Sequence, residues 1–147
     1  MTADRHDDAE IDQILQRAKV FAVVGASDRP ERPSYAVMAT LLRTGYTVHP
    51  VNPMLAGQQI HGQTVFARLD DVPGPVDVVD IFRRAPDALS VVRDAIRLKD
   101  ALGISVVWMQ LGIVNDVAAD EAEAAGLIAV MDRCPAIELS RQSVAGR

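Results

Sequence analysis

Residues 19–53, KVFAVVGASDRPERPSYAVMATLLRTGYTVHPVNP, decide the fold. Lys19 to Gly25 is a continuous apolar, β-branched run ending in glycine, the pattern of a parallel strand buried on both faces. The GASDRPERPS that follows has the composition of a turn, and from Ser34 the period changes. Val37, Met38, Leu41 and Leu42 form one stripe of a helix. Ser34 is its expected N-cap, and Gly45 stands where a helix C-terminus takes a left-handed residue. Tyr46 to Val51 reads as a second strand, with Pro50 confined to its end and Asn52-Pro53 marking an abrupt exit. Strand, helix and strand at this spacing make a βαβ unit.

The flanking sequence repeats the alternation. Upstream, Ile11, Ile14, Leu15 and Ala18 predict a short amphipathic helix over 10–18, packed outside the sheet. Downstream come a short strand near Thr64–Ala67, a strand from Val76 to Phe82, and a helix over 87–101 carrying Ala88, Val91, Val92, Ala95 and Ile96, with Pro86 in its first turn. Ile104–Met109 is another buried strand. Asn115 caps an Ala/Glu-rich helix ending at Gly126, and Leu127–Met131 is the last strand before Arg133-Cys134-Pro135. The expected architecture is a single α/β domain: a doubly wound, mostly parallel Rossmann-like sheet with helices on both faces and right-handed crossovers. Residues 1–18 form an acidic segment and helix packed on the domain, 19–140 the domain itself, and 141–147 a C-terminal tail.

Composition narrows the function. The chain has 147 residues, 49% hydrophobic and 24% charged, enough for a core without staples. Its one cysteine, Cys134, has no partner for a disulfide, and no Cys/His spacing fits a zinc site, so a cytoplasmic, reducing setting is expected. A net charge of −5 with 4% aromatic residues argues against nucleic acid as a partner. The acidic opening has no signal-peptide core, and apolar runs such as Val20–Val24 are far too short to span a membrane.

In doubly wound sheets ligands bind beyond the carboxyl ends of the strands, where strand order reverses. The residues to examine are therefore Gly25–Tyr35, Val51–Pro53, Phe82–Pro86 and Met109–Gly112. The first loop offers a tight-turn glycine, small Ala26 and Ser27, a helix start, and hydroxyl or guanidinium donors in Ser27, Arg29, Arg32 and Ser34, a combination that attracts phosphate. The alternative is a structural serine cap with solvated arginines balanced by Asp28 and Glu31. The dinucleotide fingerprint G-x-G-x-x-G is absent, since positions 27 and 30 are Ser and Pro. The second strand ends at Asn52, where a nicotinamide domain places an acidic residue for the ribose.

VVGAS, Pro33-Ser34, Gly45-Tyr46-x-Val48-x-Pro50-Val51-Asn52-Pro53, Gly62, Val76-Asp77-x-Val79-x-Ile81-Phe82-Arg83, Val107-Trp108-x-Gln110-x-Gly112 and Asp132-Arg133-Cys134 occur in this order. Together they resemble the small stand-alone CoA-binding proteins, which are similar to the N-terminal CoA-binding domain of the succinyl-CoA synthetase α subunit. The resemblance spans about residues 14–140. It implies coenzyme A lying across the strand ends, its diphosphate at Gly25, Ala26, Ser27, Arg32, Ser34 and Tyr35 and its adenosine end near Val51, Asn52 and Pro53. Phe82, Arg83 and Pro86 would border the ligand on the other side of the first strand, with Met109, Gln110 and Gly112 nearer the pantetheine arm. Arg83 and Arg84 also have a plain reading as surface charges at a helix start. The histidine-bearing second domain and nucleotide-grasp partner of the synthetase have no counterpart in this stretch, so thioester ligation by this chain alone is not expected.

Cys134 lies at the same edge as the proposed site and reads either as a buried hydrophobe or as a functional thiol. His49 and His61 have no Ser or Cys nucleophile at recognisable spacing, and no catalytic residue or metal ligand is assigned. Asp77 and Asp80 fall on opposite faces of one strand. Asp77 suits the strand's start, whereas Asp80 in a buried strand needs hydrogen-bond partners. Trp108 is expected in the core. The resulting expectation is a non-catalytic or accessory protein that binds CoA or an acyl-CoA. The alternatives are a nicotinamide-dependent oxidoreductase or the CoA-binding subunit of a split acyl-CoA synthetase. A second copy of the chain or an unidentified protein is a further potential partner, with the N-terminal helix either capping the domain or pairing with another copy.

Overall fold

The computed structural model describes residues 4–145; the first three residues of the acidic segment and the last two of the expected tail lie outside the described residues. Helix α1 (Asp8–Arg17) opens on a capping box between Asp7 and Glu10 and leads into β1 (Val20–Val24). Then follow α2 (Pro33–Thr44), β2 (Thr47–Val51), a small hairpin of β3 (Gln59–Ile60) and β4 (Gln63–Thr64), a 3-10 turn (Leu69–Asp71) and β5 (Val78–Ile81). The chain continues through α3 (Ala85–Arg97), the short α4 (Lys99–Leu102), β6 (Val106–Met109), α5 (Asp116–Ala124), β7 (Ile128–Val130) and α6 (Pro135–Ala145).

Five strands pair in parallel in the order β2-β1-β5-β6-β7. The protein is a single Rossmann-like α/β domain, and strand order reverses between β1 and β5. Alternation sends Ala22, Val24, Val79, Ile81, Val107 and Met109 to the face covered by α3 and α5, where Val91, Val92, Ala118 and Ala122 meet them. Phe21, Val23, Val78, Val106 and Trp108 face the other way, onto Ile11 and Leu15 of α1, Met38 and Leu41 of α2, and Cys134 before α6. Burial on both faces is the reason these strands read as unbroken apolar runs. Pro50 sits in edge strand β2. Thr47 N–H points toward β1, to Lys19 O at 2.9 Å, so alternation turns position 50, which lacks an N–H, to the outer edge.

The sequence reading needs four local corrections. Ser34 is inside α2 rather than its N-cap: Pro33 occupies the first turn, Arg32 precedes the helix without a side-chain cap, and the serine is buried. The strand expected near Thr64–Ala67 is instead the β3/β4 hairpin, followed by a single parallel bridge from Phe66 to Val51. The helix expected over 87–101 divides at Leu98 into α3 and α4. The segment assigned to a tail from residue 141 is helical through Ala145, because α6 continues past the expected end of the domain. Glu138 is buried while Ile137 beside it is exposed, so the apolar stripe that would have shown α6 in the sequence is broken.

Asp77 marks the start of its strand as expected, its carboxylate accepting from Lys19 N–H at 2.8 Å and Val20 N–H at 2.9 Å. Asp80 is different. It lies in central strand β5, level with Val23 and Trp108, is fully buried, and neither carboxyl oxygen has a hydrogen-bond partner among the described residues. Burial pushes its carboxyl well above the ordinary range, which favours the neutral acid in the folded protein. The unfolded chain then ionises at lower pH than the folded one, and stability falls as pH rises above the unfolded value. Asp80→Asn keeps the shape without the charge. Urea denaturation is expected to find the variant more stable than wild type at pH 7.5, with the gap narrowing toward pH 4; a gap independent of pH would refute this account.

Candidate functional site

The site begins where β1 ends. Gly25 has φ +90°, and a Cβ on it would lie 2.5 Å from the Phe82 carbonyl oxygen, so both conformation and space demand glycine. The N–H groups of Gly25 and Ala26 both donate to Val51 O, at 3.0 and 3.3 Å, tying this loop to the end of β2. Asn52 completes the tie: its amide donates to Ala26 O at 2.8 Å and its side-chain oxygen accepts from Met54 N–H at 2.8 Å. Ser34 Oγ accepts from Ser27 N–H at 3.0 Å, and Ser27 Oγ accepts from Arg29 N–H at 3.1 Å. The loop is thus shaped in advance and leads into the N-terminus of α2, an end favourable to anions.

Two cavities meet at this loop, and Gly25, Asn52, Phe82 and Arg83 line both. The first, about 690 Å³, runs between α2 and α6. Ala26, Ser27, Arg32 and Ser34 form its polar end, and Val37, Leu111, Ile113, Cys134 and Ile137 its apolar walls. Gln110 lines it while only 5% exposed, and its side-chain carbonyl has no hydrogen-bond partner among the described residues. The second cavity, about 540 Å³, opens on the other side of β1 and is lined by Val51, Pro53, Arg68, Asp70, Asp94 and Arg97 among others.

Eleven of the residues singled out from sequence therefore line one cavity or the other: Gly25, Ala26, Ser27, Arg32, Ser34, Val51, Asn52, Pro53, Phe82, Arg83 and Gln110. Tyr35, Pro86, Met109 and Gly112 line neither. Tyr35 turns to the hairpin, with its ring 4.1 Å from that of His61 and its carbonyl accepting from His61 Nε2. Met109 is fully buried on the α3/α5 face, and the alternation that hides it there presents Gln110 to the cavity instead. Gly112 gives its N–H to the Asp132 carboxylate at 2.7 Å, and Pro86 lies in the first turn of α3. Sequence reasoning missed Arg68 and Ile137 as lining residues, because tertiary packing alone carries the 3-10 turn and α6 to the strand ends, and it missed Ile113, one residue beyond the segment it marked.

The catalytic possibilities are few. His49 packs edge-on to Phe66, and burial lowers its pKa. His6 contacts Ala129 O and Glu10, and none of the three histidines lines either strand-end cavity. No cluster of His, Cys, Asp and Glu able to hold a metal occurs among the described residues.

The family described as CoA binding domain matches residues 19–140. The uncharacterized protein YneT of Bacillus subtilis (strain 168) is 38% identical over 126 residues, 86% of this chain and 89% of that one. A hypothetical protein from Pyrococcus horikoshii OT3 is 38% identical, and its solved structure superposes with a TM-score of 0.85 over 94% of this chain and 93% of that one. A dinucleotide forming acetyl-coenzyme A synthetase 1 of Ca. Korarchaeum cryptofilum, 23% identical, superposes with a TM-score of 0.62 over 76% of this chain and 25% of the synthetase, a likeness of fold alone.

The close approach of Gly25 to Phe82 is open to a direct test. Gly57 has φ +86° with nothing within 4 Å of its virtual Cβ, so Gly57→Ala carries only the conformational cost of about 1–2 kcal/mol. Gly25→Ala must in addition displace the Phe82 carbonyl and is expected to cost at least about 1 kcal/mol more in urea denaturation. Equal losses at the two positions would show that the carbonyl is not the limiting contact.

Proposed function

Because the chain belongs to the CoA-binding domain family, we propose that it binds coenzyme A, or an acyl-CoA, across the carboxyl ends of its parallel strands and does so without catalysing a reaction of its own. The observation that carries this reading is the pair of unlike cavities sharing Gly25, Asn52, Phe82 and Arg83. Coenzyme A has a diphosphate at its middle, a flexible and largely apolar pantetheine arm on one side, and a phosphorylated adenosine on the other. The diphosphate suits the shared loop, where glycine lets the backbone approach and Arg32 and Arg83 supply positive charge. The arm suits the cavity walled by Phe82, Leu111 and Ile137. The adenosine end suits the charged cavity beside Val51 and Pro53.

The site supports no competing chemistry as well. Both ends of the Asn52 side chain are engaged in the loop, so nothing at the end of β2 takes the place of the carboxylate that would hold a nicotinamide ribose. Cys134 lies in the wall of the apolar cavity, 6% exposed, and no histidine lines that cavity to activate it. Carrying or sensing the ligand is the role these features support, in a reducing compartment that keeps the single thiol free. No helix among the described residues is long and apolar enough to cross a membrane.

Ligand-dependent melting tests the proposal. A ligand at 100 times its dissociation constant adds about 2.7 kcal/mol, which for a domain of this size raises the melting temperature by roughly 5–10 °C. That rise is expected with CoA and acetyl-CoA and not with NAD, NADP or ATP at equal concentration. A shift confined to the nicotinamide cofactors, or no shift with any of the five, would sink the assignment.

A further inference from the structure

The second cavity contains more charge than an adenine and ribose require. Three arginines, Arg68, Arg83 and Arg97, line it against two aspartates, Asp70 and Asp94. Arg97 is committed: it donates to Asp70 at 2.8 and 3.1 Å and to Asp94 at 3.1 Å, so all three groups are tied together and stiffen the wall between the 3-10 turn and α3. Arg83 sits at the junction of the two cavities, its Cδ packed 3.1 Å from the position a Cβ on Gly25 would take and its guanidinium 3.9 Å from Asp87. Arg68 differs from both. It is exposed, and among the described residues its guanidinium makes no hydrogen bond and no ion pair within 4.0 Å, although it lies close enough to Asp70 to be felt there.

Its position comes from backbone structure. Phe66 extends the edge of the sheet beyond β2, accepting from Asn52 N–H at 2.9 Å and donating to Pro50 O at 2.9 Å. Two residues later Arg68 begins the 3-10 turn, beside the cavity that Val51, Asn52 and Pro53 close from the other side. An uncommitted guanidinium beside a fixed turn, lining a cavity with three arginines against two aspartates that are both held by Arg97, is matched to a dianion arriving with the ligand.

We propose that Arg68 is the residue that recognises the ribose 3′-phosphate, and so makes this site select coenzyme A over its dephosphorylated form and over ADP. The inference rests on the reading of the site as a CoA site and adds to it the group that sets specificity. Arg97 is the wall that holds the cavity's shape, and Arg83 serves the diphosphate at the junction.

The test is a cycle of two proteins and two ligands: wild type and Arg68→Gln, each titrated calorimetrically with CoA and with 3′-dephospho-CoA. A charge-assisted contact at an exposed site corresponds to a preference of roughly 10-fold to 100-fold, so wild type is expected to bind CoA more tightly than dephospho-CoA by that factor. Arg68→Gln is expected to lose the preference while its affinity for dephospho-CoA stays within about twofold of wild type, since glutamine cannot reproduce a guanidinium's charge. The wild-type preference is also expected to shrink as salt is raised from about 50 to about 500 mM, because the contact is open to solvent and the Debye length falls through about 8 Å over that range. A preference that survives in Arg68→Gln, or a wild type that binds the two ligands equally, overturns the proposal while leaving CoA binding intact. A wild type that binds neither ligand overturns the CoA reading itself, and this inference with it. Only the Arg68 backbone, whose carbonyl accepts from Asp71 N–H, serves the fold, so the side-chain variant is expected to melt with wild type.

Discussion

The carbonyl of Phe82 lies where a side chain on residue 25 would have to be, and much of the site depends on that contact. It brings the loop after β1 against the residue after β5 at the one place in the sheet where strand order reverses. With β1 and β5 paired in register from Phe21↔Val78 to Val24↔Ile81, their exits cannot separate, and the chain has no freedom left except to turn at a left-handed residue. The turn then takes its remaining shape from Val51 O, Asn52 and Ser34, each of which satisfies a backbone group of the loop. A pre-shaped loop binds a polyanion without first having to be ordered.

The opposite wall is held by the residues after β7. Asp132 adopts φ +58° and accepts from Gly112 N–H, fixing the loop after β6. The Arg133 carbonyl accepts from Trp108 Nε1 at 2.7 Å, which satisfies the one polar group of a buried indole. The Arg133 guanidinium contacts Asp4, Asp8 and Glu138, joining the N-terminal segment, α1 and the start of α6. Carboxylates on several sides raise its pKa beyond its already high ordinary value, and with so many partners the charge is compensated although the side chain is only 12% exposed. Cys134 is consequently set in the cavity wall by its neighbours on both sides.

Asp80 stands apart from this pattern of satisfied groups. Its carboxyl lies between Val23 and Trp108 in the central strand, with no partner for either oxygen among the described residues. The sequence reading asked for partners on general grounds; the structure meets the difficulty by favouring the uncharged acid instead.

The five strands of the parallel sheet, the doubly wound class and the glycine turn at the first strand's end were legible in the sequence. Continuous apolar runs report burial on both faces of a parallel sheet, and a glycine followed by a helix start reports where the chain turns, so both are local signals. The hairpin in place of a strand at Thr64–Ala67, the continuation of α6 and the withdrawal of Met109 and Tyr35 from the cavities were not legible, because each is settled by what packs opposite. Arg68 is the clearest case: nothing in its local sequence marks it as a site residue, and the bridge between Phe66 and Val51 brings it beside the strand ends. The sequence by itself determined which segments form the sheet and where the chain turns beyond its first strand, since hydrophobic period and turn chemistry act over a few residues. Only the tertiary structure decided which distant side chains complete the site, since their positions are set by contacts between segments far apart in the chain.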